Sequence, residues 1–178
     1  MIKLGKFTSH MHRNNGFQFS NEGTIIFRGT ATVGNDCYLR VDKFATWDVG
    51  DHFCVTAGYK MTCSNSITFE DDVLIGFDTY MLDTDFHHMT TASSNEYPPS
   101  FGPIHIGKGC WIGFGNVILK NTYLPEKCIV ASKSMLNKKY NCPPMTLLAG
   151  TPAIPKKEGL YLDRSNNAVD FNYIFNKD

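Results

Sequence analysis

Large aliphatic side chains return at every sixth position through the C-terminal part of the chain, at Ile106, Ile112, Ile118, Leu124, Val130 and Leu136. Four residues after each of the first five stands a small residue: Cys110, Asn116, Thr122, Cys128 and Ser134. The same beat runs earlier as Phe27-Val33-Leu39, Val49-Val55-Met61 and Phe69-Ile75, with slips to 10 and then 8 residues between the groups. A period of six is neither the 3.6 of a helix nor the alternation of a single strand. It predicts short strands of roughly two to three residues joined by sharp corners, each sending one large side chain inward. Stacked coils of this kind bury a continuous aliphatic column. A meander of short antiparallel strands would also give β-branched runs, but six unbroken hexads favour the solenoid.

Two stretches lack the beat. Residues 86–104 (FHHMTTASSNEYPPSFGPI) hold three prolines and several Ser and Thr, and predict an extruded loop. Binding and catalytic residues concentrate on such loops. The tail after Pro155 carries scattered aromatics. The expected organisation is an N-terminal cap or edge segment over 1–22, a β-solenoid over 23–155 and a C-terminal cap over 156–178. A bare coil end would expose unpaired backbone, which is why caps are expected.

Composition narrows the function. At 178 residues the chain fits one domain, and with 19% charged residues and zero formal net charge it resembles neither a disordered chain nor a bulk-charge nucleic-acid binder. No run of about 18 apolar residues predicts a transmembrane helix, and the first residues lack the apolar stretch of a signal peptide. A cytoplasmic protein is expected. The zero charge hides an asymmetry: Ile106 to Lys157 holds eight lysines and one acid, while the preceding 105 residues hold seven basic and twelve acidic groups. Clustered lysines are usually a solvated face, with a polyanionic small ligand as the rival reading. The six cysteines form no C-x-x-C pair, so small buried hydrophobes are expected, with no metal site.

The hexads, with IHIGKGCWIGFGNVILKNTYLPEKCIVASKSMLNK followed by LLAGTPAIPKK, resemble the hexapeptide-repeat acyltransferases, in particular the sugar O-acetyltransferase branch that includes maltose and galactoside acetyltransferases. The resemblance covers roughly residues 23 to 157. It implies a left-handed parallel β-helix, acetyl-CoA as co-substrate, a sugar-like acceptor and a homotrimer with active sites between subunits. The cofactor residues it implies are Gly113, Phe114 and Gly115 after the Trp-Ile-Gly turn, then Ala131, Ser132, Lys138 and Lys156 or Lys157. Trp111 would wall the acyl site. Phe114 and Lys133 stand where the family's pattern has small residues.

Ester formation from a thioester and an alcohol needs a base, oxyanion stabilisation and alignment. Histidine is the natural base near neutral pH. Of six histidines, His87 lies where the third coil is expected to end and the loop to begin, the place of the catalytic histidine in the resembled family. Asp83 and Asp85 precede it at alternate positions and share its face in extended chain, so either could orient the ring. Three rivals stand beside O-acetylation. They are N-acetylation of an amino sugar or nucleotide sugar, a metalloenzyme like the gamma-class carbonic anhydrases of the same fold, and a non-catalytic β-helix binding module.

Overall fold

The computed structural model describes residues 1–13, 16–93 and 96–165, and all regular structure among them is β. The chain visits three sheets in rotation. The first coil is β1 (Ile2–Lys6), β2 (Gln18–Asn21) and β3 (Thr24–Phe27). The second is β4 (Ala31–Gly34), β5 (Tyr38–Val41) and β6 (Thr46–Val49); the third is β7 (Phe53–Val55), β8 (Lys60–Cys63) and β9 (Ser66–Phe69). The fourth is β10 (Leu74–Ile75), β11 (Tyr80–Leu82) and, across the loop, β12 (Ile104–Ile106). The fifth is β13 (Trp111–Ile112), β14 (Val117–Leu119) and β15 (Tyr123–Leu124), and the sixth opens with β16 (Ile129–Val130) and β17 (Met135–Leu136). Each strand pairs in parallel with its counterparts one coil below and above. β18 (Leu147–Gly150) continues the first sheet, and β19 (Ala153–Lys157) folds back on it antiparallel.

The inward residues are those of the six-residue beat. Ile106, Ile112, Ile118, Leu124, Val130 and Leu136 are all 0% exposed. The two slips are wider strands rather than breaks. β5 sends both Leu39 and Val41 inward, β6 both Trp47 and Val49, and β9 both Ile67 and Phe69. The six-residue return survives beneath them, from Val41 to Trp47 and from Met61 to Ile67. The wider lower coils are filled with rings: Trp47 meets Phe27 at 5.6 Å and Phe53 at 6.4 Å, and Phe53 meets Phe69 at 4.6 Å.

Sharp corners demand left-handed backbone. Between the first and second sheets Asp36, Gly58, Asp78, Gly115 and Lys133 stack with φ between 54° and 68°. Each is followed by a buried residue: Cys37, Tyr59, Thr79, Asn116 and Ser134. The polar ones satisfy corner backbone. Asn116 Nδ2 donates to the Gly113 carbonyl at 2.7 Å, and its Oδ1 accepts the Ser134 amide at 2.7 Å. Of the cysteines, Cys37, Cys63, Cys110 and Cys128 are buried and Cys54 and Cys142 half-buried, all as free thiols.

β1 and β2 are already solenoid strands, so the loop interrupts the fourth coil rather than following the third. They carry no hexad because their side chains are largely exposed. The tail is described to Ser165, where Arg164 Nη1 donates to the His52 carbonyl at 3.2 Å; of the cap expected over 156–178, the part after Ser165 lies outside the described residues.

Truncating one inward residue should be felt throughout the stack. Ile112→Ala should lower unfolding free energy in urea by about 2–5 kcal/mol. Thr68→Ala, on the outer face of β9, should change it by no more than about 0.5 kcal/mol.

Candidate active site

The loop is held by a short neck. Thr84 and Phe101 form an antiparallel bridge. The Asp85 amide donates to the Ser100 carbonyl at 2.7 Å, and the Gly102 amide to the Asp83 carbonyl at 2.9 Å. Lys120, from the coil above, clamps this neck. Its Nζ lies 2.6 Å from Asp85 Oδ2 and donates to the Pro99 carbonyl at 2.8 Å.

The neck separates the residues of the Asp-Thr-Asp-Phe-His string. Asp83 is 0% exposed, and its carboxylate accepts the amides of Ser64 at 2.6 Å and Asn65 at 2.8 Å. Burial raises its pKa, against the opposing pull of those amides. Asp83 thus caps the turn one coil below, and Asp85 is engaged by Lys120. Phe86 adopts φ 59°, which turns the chain before His87. The face expected to be shared by Asp83, Asp85 and His87 in extended chain is therefore not kept. His87 is exposed and makes no hydrogen bond, ion pair or ring contact among the described residues, whereas His88 packs edge-on to Tyr97 at 6.0 Å.

A groove of about 230 Å³ runs beside the corner between the first two sheets. It is lined by Thr56, Leu74, Gly76, Phe77, Trp111, Gly113, Phe114 and Ser132. Four of the cofactor residues implied by the resemblance, Trp111, Gly113, Phe114 and Ser132, therefore line one groove. Leu74 sits directly beneath Trp111 in the first sheet. The amides of Gly113, Gly115 and Ala131 are committed to neighbouring coils through Val130, Phe77 and Leu148. Those of Phe77, Phe114 and Ser132 have no protein acceptor among the described residues. Glycine keeps two of them open: a Cβ on Gly76 would lie 2.9 Å from the Phe114 nitrogen, and one on Gly113 2.9 Å from the Ser132 nitrogen. Lys133 sits at the upper end, its ammonium 5.3 Å above the Phe114 ring in the space that Gly115 leaves free. An extended polar ligand with carbonyls and a phosphate matches this set of open amides, apolar walls and one cation.

The remaining lysines lie apart from the groove lining. Lys138 lies 5.7 Å over the Tyr140 ring, and Lys156 and Lys157 are exposed on β19. Sequence reasoning missed Thr56, Leu74, Gly76 and Phe77. The signal for the last two is the repeated Ile-Gly-Phe of 75–77 and 112–114.

Solved structures share this architecture. The polySia specific acetyltransferase NeuO overlays 81% of this chain and 73% of its own, with a TM-score of 0.57 and 21% identity. A variant of the N-acyltransferase AntD from Bacillus cereus, in complex with dTDP and coenzyme A, overlays 82% and 81% with a TM-score of 0.59 and 16% identity. A maltose O-acetyltransferase from Clostridium difficile 630 overlays 77% and 67% with a TM-score of 0.57 and 20% identity. The chain shares the parallel β-solenoid fold of these enzymes. No protein-family model and no curated protein sequence matches it.

The two aspartates should separate on mutation. Asp83→Ala leaves two part-buried amides without their acceptor and should destabilise the protein by about 1–3 kcal/mol in urea. Asp85→Ala removes a partly exposed ion pair and should cost no more than about 1 kcal/mol.

Proposed function

We propose that the protein transfers an acetyl group from acetyl-CoA to a hydroxyl of a sugar-like acceptor, with His87 as general base. The observation that carries this reading is the groove, where Gly76 and Gly113 uncover backbone amides between the walls of Trp111 and Phe114 and below the Lys133 ammonium. Likeness to sugar acetyltransferases, and to an enzyme with coenzyme A bound, supports it. The donor lies along the open amides with its phosphates toward Lys133 and the lysine-rich upper coils. Its thioester lies near Trp111.

In this mechanism the unprotonated nitrogen of His87 takes the acceptor hydroxyl proton as the oxygen attacks the thioester carbonyl. The tetrahedral intermediate collapses with cleavage of the carbon–sulfur bond. The imidazolium then returns its proton to the departing thiolate, giving the acetyl ester and free coenzyme A. Open corner amides are suited to hold the oxyanion. Asp85 and Lys120 act on the loop neck, fixing where His87 is presented. No described loop residue lines the groove of its own chain, which favours a homotrimer in which the loop of one copy faces the groove of the next.

N-acylation of an amino sugar is the second reading, favoured by the likeness to the N-acyltransferase with dTDP bound. Among the described residues of one chain no three His, Cys, Asp or Glu side chains converge in a geometry that could hold an ion, so a metal-dependent reading would need ligands from a second copy. The proposed location is the cytoplasm; among the described residues no helix is long and apolar enough to cross a membrane.

His87→Ala should lower turnover by roughly 10²–10⁴-fold in a thiol-release assay, with acetyl-CoA binding and folding intact. His88→Ala should cost far less, and near-parental turnover of His87→Ala would remove His87 as the base. Light scattering at micromolar concentration should give three times the chain mass. A monomer there would count against the shared site.

A further inference from the structure

A histidine that the proposed mechanism does not use is built into the lower rim of the same groove. Residues 8–13 cross the first corner of the second to fourth coils, held by Asn35, which is 1% exposed. Asn35 Oδ1 accepts the amides of Thr8 at 3.0 Å and Ser9 at 3.2 Å. Its Nδ2 donates to the carbonyls of Ser9 at 3.1 Å, His12 at 3.3 Å and Arg13 at 3.0 Å. Two contacts of this clasp land on groove residues. Thr8 Oγ1 donates to the Thr56 carbonyl at 2.5 Å, and the His12 ring stacks on Phe77 with centroids 5.7 Å apart.

The His12 side chain is 8% exposed, with Nε2 2.8 Å from Asp78 Oδ1 and Nδ1 3.4 Å from Ser9 Oγ. Gly58 makes room for the pair, since a Cβ there would lie 2.3 Å from Asp78 Oδ1 and 2.7 Å from His12 Nε2. His12 therefore fixes the direction of the Asp78 carboxylate and leaves its other oxygen in solvent, on a side chain 56% exposed. Asp78 directly follows Phe77, at the rim. Lys60 feels both Asp36 and Asp78, but its ammonium is bound to the Tyr80 hydroxyl at 2.9 Å.

We propose that Asp78, held by His12, is the hydroxyl-binding carboxylate of an acceptor subsite that takes an uncharged sugar laid against Phe77. This rests on the acetyl-transfer reading of the groove. Along one corner column the cation, Lys133, stands at the upper end and the carboxylates, Asp78 and Asp36, at the lower, with Gly115 between. The upper end suits a phosphate-bearing donor and leaves the lower end to the acceptor. A fixed carboxylate accepts from two adjacent sugar hydroxyls, and the apolar face of a pyranose packs on an aromatic wall. The negative rim repels acidic saccharides. Asp78 contacts the acceptor, and His12 is a positioning residue.

The test is saturation-transfer NMR with maltose, galactose and N-acetylglucosamine on the full chain, beside calorimetry with acetyl-CoA. At least one neutral sugar should give a signal with the parent protein. Asp78→Asn, which tolerates the left-handed corner, should weaken that sugar at least tenfold without changing acetyl-CoA affinity. His12→Ala should weaken it similarly, and His12→Gln, whose amide still donates to Asp78, should recover most of the signal. Unchanged binding in Asp78→Asn, no signal from any neutral sugar, or stronger binding of a sialic acid trimer overturns the subsite. Failure of the parent protein to bind acetyl-CoA would instead overturn the acetyl-transfer reading, and the sugar result would be judged by itself.

Discussion

The structure depends on one constraint: parallel coils lie directly on one another at the spacing of hydrogen-bonded strands, about 4.8 Å. A residue at a corner then has the equivalent residues of the coils above and below as its nearest neighbours. Inward positions must be filled coil by coil, and corners must turn within a single left-handed residue. Every other feature of the molecule is an accommodation to that stacking. Rings fill the wide lower coils, single aliphatic side chains fill the narrow upper ones, and Asn116 and Ser134 satisfy corner backbone from within.

The same stacking creates the groove. Where Gly76 lies beneath Phe114 and Gly113 beneath Ser132, the missing Cβ atoms leave backbone nitrogens uncovered along a straight line. Elsewhere those positions would be closed by a side chain of the adjacent coil. Left-handed corner residues project along the same line, so one column carries Asp36, Asp78 and Lys133 with glycines between them. Charge of opposite sign at the two ends is thus a direct consequence of which coil each residue occupies.

The loop interrupts the fourth coil, and it is held by the coils on either side. Asp83 ties its base to the coil below through Ser64 and Asn65, while Lys120 ties it to the coil above through Asp85 and Pro99. Two carboxylates that look alike in the sequence thus have different tasks. One is buried under backbone amides, and the other is half-exposed in an ion pair. His87, beyond the turn at Phe86, is left free of both.

The sequence by itself determined the inward column and the position of the loop, because side-chain direction within a short strand and its corner is local; the grouping of Trp111, Gly113, Phe114 and Ser132 was implied by the family resemblance. A six-residue return fixes which residue points inward whatever the rest of the chain does. Only the tertiary structure decided what stands next to what across coils. Asp83 turned inward because an unpaired corner lay beneath it, and Asp85 met a lysine from the coil above. Thr56, Leu74, Gly76 and Phe77 joined the groove from coils separated from Trp111 by the loop. His12 reached Asp78 from a segment with no repeat at all. Those neighbours depend on strand register and on the lengths of wide strands and insertions, quantities that no single period encodes.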